Sequence, residues 1–438
     1  MNLQKILSRL APIHHTFGPL ADTRQCLRSI GMLLCPHVWN EGKSEEILAR
    51  ELGEAFSMDA FLFYSGREAL LALMRALQLQ PSDEVIVQGY TCAVVGNAVR
   101  AAGGKPVYVD IDKETLNIDP ENIERAVTER TRAIICQHTF GIPANIELLR
   151  AICDEKSLAL IEDCAHVIPD ASGPKNIGTK GDFLLLSFGR DKAISGVAGG
   201  AVLSRHRYVS TILMNEWKNA VDVGRWTTLR LLLYPWIYSL ARPLYGLWLG
   251  KAFLAACRAL GLLLPILSPL EKEGGMAVAL RRMPNACAYL ALDQWRRRGA
   301  INDHRRMLTK KYLQACADHG WPVLRGIRDD LPLQKFPLFI AGYADDDPER
   351  NRRVFLADDI RQRLKKGNIH LDDGWTGCVV CPASVDAAAT GYARGSDPRA
   401  EEAAESILSL PTHPTMTKWQ AELLIEQLNS ELQRTNHA

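Results

Sequence analysis

From about residue 45 the chain alternates between helical and extended periodicity, and this alternation narrows its fold more than any other feature. Residues 45–56 have the spacing of an amphipathic helix, 61–64 read as a short strand, and 66–79 as a helix rich in Ala and Leu. Residues 85–87 read as strand, 93–102 as a helix closed by Gly103 and Gly104, and 106–109 as strand. Asp119 followed by Pro120 marks the next helix start, because the aspartate can cap orphan amides while proline is pre-set for the first turn. That helix runs to about residue 129. A strand at 133–136, a helix at 146–153 and strands at 158–162 and 183–188 follow. The repeated order predicts an α/β fold, a mainly parallel sheet with helices on both faces and ligand-binding loops at the strand ends.

Two of those strand ends carry chemistry. DFLLLSFGRDKAISGVAGG, residues 182–200, hangs Lys192 just beyond a buried-looking strand in a glycine-bounded loop, and a lysine so placed can form a Schiff base. In LALIEDCAH another apolar run ends in Asp163. An aldehyde cofactor such as pyridoxal 5'-phosphate (PLP) needs both groups, a lysine for its carbon and an acid that keeps its ring nitrogen protonated.

Composition excludes several other classes. A formal charge of +2, with Lys and Arg scattered, gives no footprint for nucleic acid. The 11 cysteines are irregularly spaced, which suits reduced thiols in a cytoplasmic compartment. Cys378 and Cys381 form a CxxC without a second pair or histidine partner at zinc-site spacing, so packing is expected there and no metal. MNLQKILSRLAPIHHTFG has neither the apolar core nor the small-residue site of a signal peptide, and a cytoplasmic protein is expected.

Composition shifts after Arg225. Residues 226–270 are dense in Leu, Trp, Tyr and Pro, yet Arg230, Arg242, Lys251 and Arg258 interrupt them. The longest uncharged run is about a dozen residues, well short of the ~20 that span a bilayer. Two readings stand side by side: a helical pair packed on the protein or a second subunit, or an interfacial anchor on the inner face of a membrane, with Trp and Tyr at headgroup depth. Helical periodicity returns over residues 285–316, followed by strand-like LQKFPLFIAG and helices at 348–366 and 417–432. The expected organisation is an N-terminal arm (1–44), a large domain (45–225), a hydrophobic helical insert (226–275) and a small C-terminal α/β domain (276–438).

Taken in order, SGREAL, DEVIVQGYTC, KPVYVDID, RAIICQHTFG, IEDCAH, SFGRDK with its trailing GG, RRMPNACAYLALDQ and SLPTHP resemble the DegT/DnrJ/EryC1/StrS family of PLP-dependent sugar aminotransferases, in an SGR/YTC variant of the pattern. The resemblance implies the aspartate-aminotransferase fold (fold type I) with a large, mostly parallel sheet domain and a small C-terminal domain, working as a homodimer. Lys192 matches the lysine that holds the cofactor and moves a proton, and Asp163 the acid facing the pyridine nitrogen. His166 falls near the ring's phenolic oxygen, Ser187 matches the serine on the cofactor phosphate, and Gly66 and Arg67 open the helix whose amides hold that phosphate. His138 matches a histidine common in the family and is expected to support other groups.

Four positions depart from the family pattern. Arg67 replaces a threonine, Cys92 an aromatic ring that stacks on the cofactor, Ala198 a glutamate and Leu280 an asparagine that reaches across to the partner subunit. By resemblance the activity is amino transfer from an amino acid, glutamate, to a keto group on a nucleotide-activated sugar, in polysaccharide or glycan biosynthesis. The alternatives are a PLP-binding scaffold or regulator of envelope polysaccharide assembly, and an aminotransferase for a membrane-linked ketone.

Overall fold

A seven-stranded sheet organises the chain in a computed structural model that describes residues 11–15, 17–339, 350–371 and 374–436. Its strands are β1 (Asp59–Phe63), β2 (Glu84–Gln88), β3 (Lys105–Val109), β4 (Thr131–Gln137), β5 (Ala159–Asp163), β6 (Phe183–Ser187) and β7 (Gly200–Ser204), in the spatial order β1-β7-β6-β5-β4-β2-β3. β6, β5, β4, β2 and β3 are mutually parallel, whereas β7 runs antiparallel to both β1 and β6. The mainly parallel α/β sheet expected from the alternation is therefore present. β7 is the strand that the periodicity does not reveal, since GAVLS follows GVAGG and reads as a loop.

The helices over this sheet are α1 (Thr23–Leu33), α2 (Lys43–Phe56), α3 (Gly66–Ala76), α4 (Ala93–Ala101), α5 (Pro120–Ala126), α6 (Ile146–Lys156) and α7 (Arg207–Asn219). α3 shows why the pattern folds this way: Ser65 caps it by accepting the Glu68 amide at 3.3 Å, and nine of its eleven residues are buried. A helix buried nearly all round is a rigid platform, and its N-terminus is where the site lies. Residues 226–275 form α8 (Arg225–Ala241), α9 (Leu249–Ala259) and a short turn, Pro269–Lys272, closed by a capping box from Ser268 and Glu271. α8 lies against α1, and its inner face buries Leu231, Leu232, Tyr234 and Ile237. Among the described residues no helix is long and apolar enough to cross a membrane.

The helical stretch expected over 285–316 is two helices, α10 (Asn285–Arg296) and α11 (Arg298–His319). α10 packs on α2, where Ala286, Ala288 and Trp295 share a core with Leu48, Leu52 and Leu184. Then come β8 (Lys335–Leu338), α12 (Arg350–Lys366), α13 (Pro398–Ser406), β9 (Leu408–Pro411), antiparallel to β8, and α14 (Lys418–Asn436). The end of the strand expected through 342 and the helix start expected at 348 lie outside the described residues. Two small ladders join distant segments: Ile13–His14 with Ile369–His370, and Thr91–Cys92 with Val380–Cys381. Cys381 is thus a buried strand residue beside Cys92.

Candidate active site

The N-terminal turn of α3 and the end of β6 meet without room for a side chain between them. A Cβ at Gly66 would stand 2.9 Å from Ser187 Cβ and 3.0 Å from its Oγ. Gly200 is crowded too, since a Cβ there would lie 2.2 Å from the Gly66 nitrogen, which accounts for a glycine after the loop. The positive end of the α3 dipole and the Ser187 hydroxyl therefore share one small space, the arrangement that suits a phosphate.

Lys192 adjoins this cradle. A Cβ on Gly189 would sit 3.4 Å from Lys192 Cγ and 3.8 Å from Ser187 Oγ. The Lys192 backbone nitrogen donates to the Gly189 carbonyl at 3.4 Å, which folds the loop back on itself. Its ammonium acts on Asp163, His166 and Cys92 alike, drawing the carboxyl and the thiol down and the imidazole further from protonation. These three side chains thus lie within electrostatic reach of the lysine.

Asp163 closes β5 with 4% of its surface exposed. Burial raises its pKa, while the Ala165 amide (2.9 Å to Oδ1) and Lys192 oppose that rise. Such a carboxylate gains most by receiving a cationic N–H, which is the demand a protonated pyridine makes. His166 accepts the Phe140 amide on Nδ1 at 3.2 Å, leaving Nε2 as its N–H, and burial with Lys192 and Lys335 nearby keeps the ring neutral. The cradle, lysine, acid and neutral donor fit PLP.

Cys92 caps α4 and is held above the usual thiol range by burial, with Lys192 and Arg67 pulling the other way. Arg67 occupies the expected place in the backbone, but its guanidinium points to the insert. It donates to Glu271 Oε1 at 2.5 Å and to the Ile266 carbonyl at 2.8 Å. Arg190 donates to the Leu264 carbonyl at 2.7 Å and stacks over Tyr234. The end of the insert is therefore strapped over the cradle by two site arginines. Leu280 lies in the core under α3, and its carbonyl accepts the Val221 amide.

His138 has a full set of partners: the Ala144 amide reaches Nδ1 at 3.1 Å and Nε2 faces Glu162 Oε2 at 3.2 Å. Glu162 also accepts the amides of Gly178, Lys180 and Gly181. His138, Glu162 and Cys164 come within 4.8 Å of one another, yet these bonds use the lone pairs a metal would need.

Several site residues carry no local sign in the sequence. Arg305, Gln334, Lys335 and Trp375 line the same pocket as Asp191 and Lys192. Gln334 fastens the lysine loop by donating to the Asp191 carbonyl, and Trp375 stands edge-on to His166 at 4.7 Å. Lys335 lies over the Phe140 ring at 4.6 Å. LQKFPLF reads as a strand and RRMLTKKY as a charged helix face, so only the tertiary fold brings these groups to the lysine.

Residues 27–214 match the model of the DegT/DnrJ/EryC1/StrS aminotransferase family. A UDP-N-acetyl-3-dehydro-alpha-D-glucosamine 3-aminotransferase of Acidithiobacillus ferrooxidans is 34% identical over 191 residues, 43% of this chain and 50% of that protein. A GDP-perosamine synthase of Vibrio cholerae is 38% identical over 140 residues, 32% of this chain and 38% of that protein. The chain thus spans half the length or less of these curated relatives. The crystal structure of NtdA from Bacillus subtilis with bound cofactor PMP superposes with a TM-score of 0.69 at 19% identity, covering 95% of this chain and 84% of that one. At that identity the likeness speaks for the fold, the large-sheet architecture of PLP-dependent aminotransferases. Over residues 27–214, somewhat under half of its length, the chain is similar to the DegT/DnrJ/EryC1/StrS aminotransferase family.

Proposed function

We propose that this protein is a PLP-dependent aminotransferase that converts a keto group on a nucleotide-activated sugar to an amine, with glutamate as donor, in glycan biosynthesis. The observation that carries the reading is the meeting of Lys192 and Asp163 beside the Gly66–Ser187 cradle. The named substrates of the matched relatives support the sugar, and homodimeric assembly belongs to the same proposal.

The division of labour follows from the side chains. The N-terminal turn of α3 and Ser187 hold a phosphate, Asp163 holds a protonated ring nitrogen, and His166 offers its Nε2–H to an oxygen. PLP, when bound, supplies the electron sink that lets a substrate carbon lose a proton. Lys192, beside the cradle, would be the amine that moves that proton. Burial of Asp163 and His166 keeps water from competing with these contacts.

The test is Lys192→Ala. The wild type, loaded with PLP, should show a visible absorbance band that changes on adding glutamate, and the variant should lose both turnover and that band. A wild-type band unmoved by any amino donor would sink the transaminase and favour a PLP-binding scaffold.

We also propose that the insert rests on an anionic membrane surface. The support is the outward face of α9, where Leu249, Phe253 and Leu260 recur at helical spacing and are exposed, although Leu254 and Cys257 already bury the inner face. No Asp or Glu occurs in residues 226–270.

A further inference from the structure

Arg305, on the second turn of α11, is a cation buried without an anion among the described residues. It is 2% exposed and ranks among the largest fully buried side chains. Its hydrogen bond is long, from Nη1 to Asn302 Oδ1 at 3.4 Å, and its Nε has no partner. Two nearby arginines are paired, Arg297 with Asp22 and Asp293, and Arg306 with Asp170 and Asp303. Burial alone draws the Arg305 pKa down to about 10, with no carboxylate to offset it. A guanidinium taken out of water without a counter-charge costs several kcal/mol, so a fold that keeps one there has a use for it.

Its place indicates the use. Arg305 lines the pocket that holds Lys192, together with Lys335 and Asp191. His413, on the same wall, is kept neutral by burial and by Arg242, His15 and Arg305, and its nitrogens face the His14 carbonyl and Thr415. We propose that Arg305 receives a carboxylate of the amino donor, fixing it against Lys192. This rests on the aminotransferase reading. A planar guanidinium with an unused Nε offers the fork that a carboxylate takes. The anionic phosphates of a nucleotide sugar are the other source of the same charge.

The PLP-loaded protein, Arg305→Met and Arg305→Lys decide the matter. Arg305→Met should raise KM for glutamate about tenfold or more, leave KM for the keto sugar within a factor of about two, and keep the visible band unchanged. Calorimetry with glutarate, an unreactive dicarboxylate, should show binding to the wild type, about tenfold weaker binding to Arg305→Met, and an intermediate affinity for Arg305→Lys. Without PLP, Arg305→Met should melt no lower than the wild type, since it loses an uncompensated buried charge. A lower melting temperature for both variants with unchanged glutarate affinity would make Arg305 structural and overturn the proposal. A rise confined to KM for the keto sugar would overturn it in favour of the phosphates. If the wild type transaminates nothing, the aminotransferase reading falls, and the glutarate measurement still decides whether Arg305 holds a carboxylate.

Discussion

Asp397 is 2% exposed and lies near Asp110 and Glu401; burial, and then those two charges, push its pKa up to about 6. The unfolded chain releases the same proton near 3.9. The folded state therefore binds the proton more tightly, so stability falls as pH rises from about 4 to 6 and the cost is complete above that window. Asp397→Asn should raise unfolding stability at pH 8 on the order of 2 kcal/mol and change little at pH 4, as urea titrations at the two pH values would show. Lower stability of the variant at pH 8 would mean that the charge has a compensating partner. Lys192 and Asp163 could be singled out in the sequence because Asp163 ends an apolar run and Lys192 follows another in a glycine-bounded loop. The direction of Arg67 could not be read there, because its partner Glu271 is brought close only by the insert. Arg305 was equally hidden, since nothing in HRRMLTKKY separates the buried arginine from its solvated neighbours.

Along a strand, adjacent side chains point to opposite faces, and β5 uses both. Asp163 faces the lysine, while Glu162 turns away and holds the loop before β6 through the Gly178, Lys180 and Gly181 amides and His138. Burial pushes its pKa up, but His138 and those amides outweigh burial and hold it below the usual carboxylate range. Glu162→Gln puts an NH2 group where donors converge, and should cost about 3 kcal/mol of stability at pH 7, measured by denaturant unfolding. The wild-type advantage is present above the unfolded pKa and is lost as pH falls through the depressed folded one, so the two proteins should converge in acid. An equal gap at pH 7 and pH 3 would show that shape, not charge, matters there. Most elements of the sheet were readable to within a few residues because burial imposes their periodicity. β7 was not, because its place depends on antiparallel pairing with β1 and β6, which no local pattern encodes.

The insert is the part of the molecule where sequence and fold leave the sharpest contrast, since a helix apolar on both faces needs cover on both. Trp248, 73% exposed, stands at the start of α9 with the Lys251 ammonium 4.3 Å from its ring centre, an apolar body beside a cation as at a headgroup layer. Lys251 and Arg258 both lie on α9, and residues 226–270 contain no acid to meet them. In the membrane reading, anionic lipid would meet that charge. Deletion of the insert is a poor test, because the Leu264 and Ile266 carbonyls and Glu271 hold Arg190 and Arg67 at the cradle. Point changes avoid that. The wild type should float with phosphatidylglycerol vesicles and less with phosphatidylcholine alone, and added salt should weaken the binding. Leu249→Ser with Phe253→Ser should reduce vesicle binding about tenfold or more, because each buried side chain of this size contributes roughly 1.5–3 kcal/mol, while activity on soluble substrates stays unchanged. If instead the wild type ignores both vesicles and sediments as a dimer that the double variant breaks, the face belongs to a second copy of the chain and the membrane reading fails.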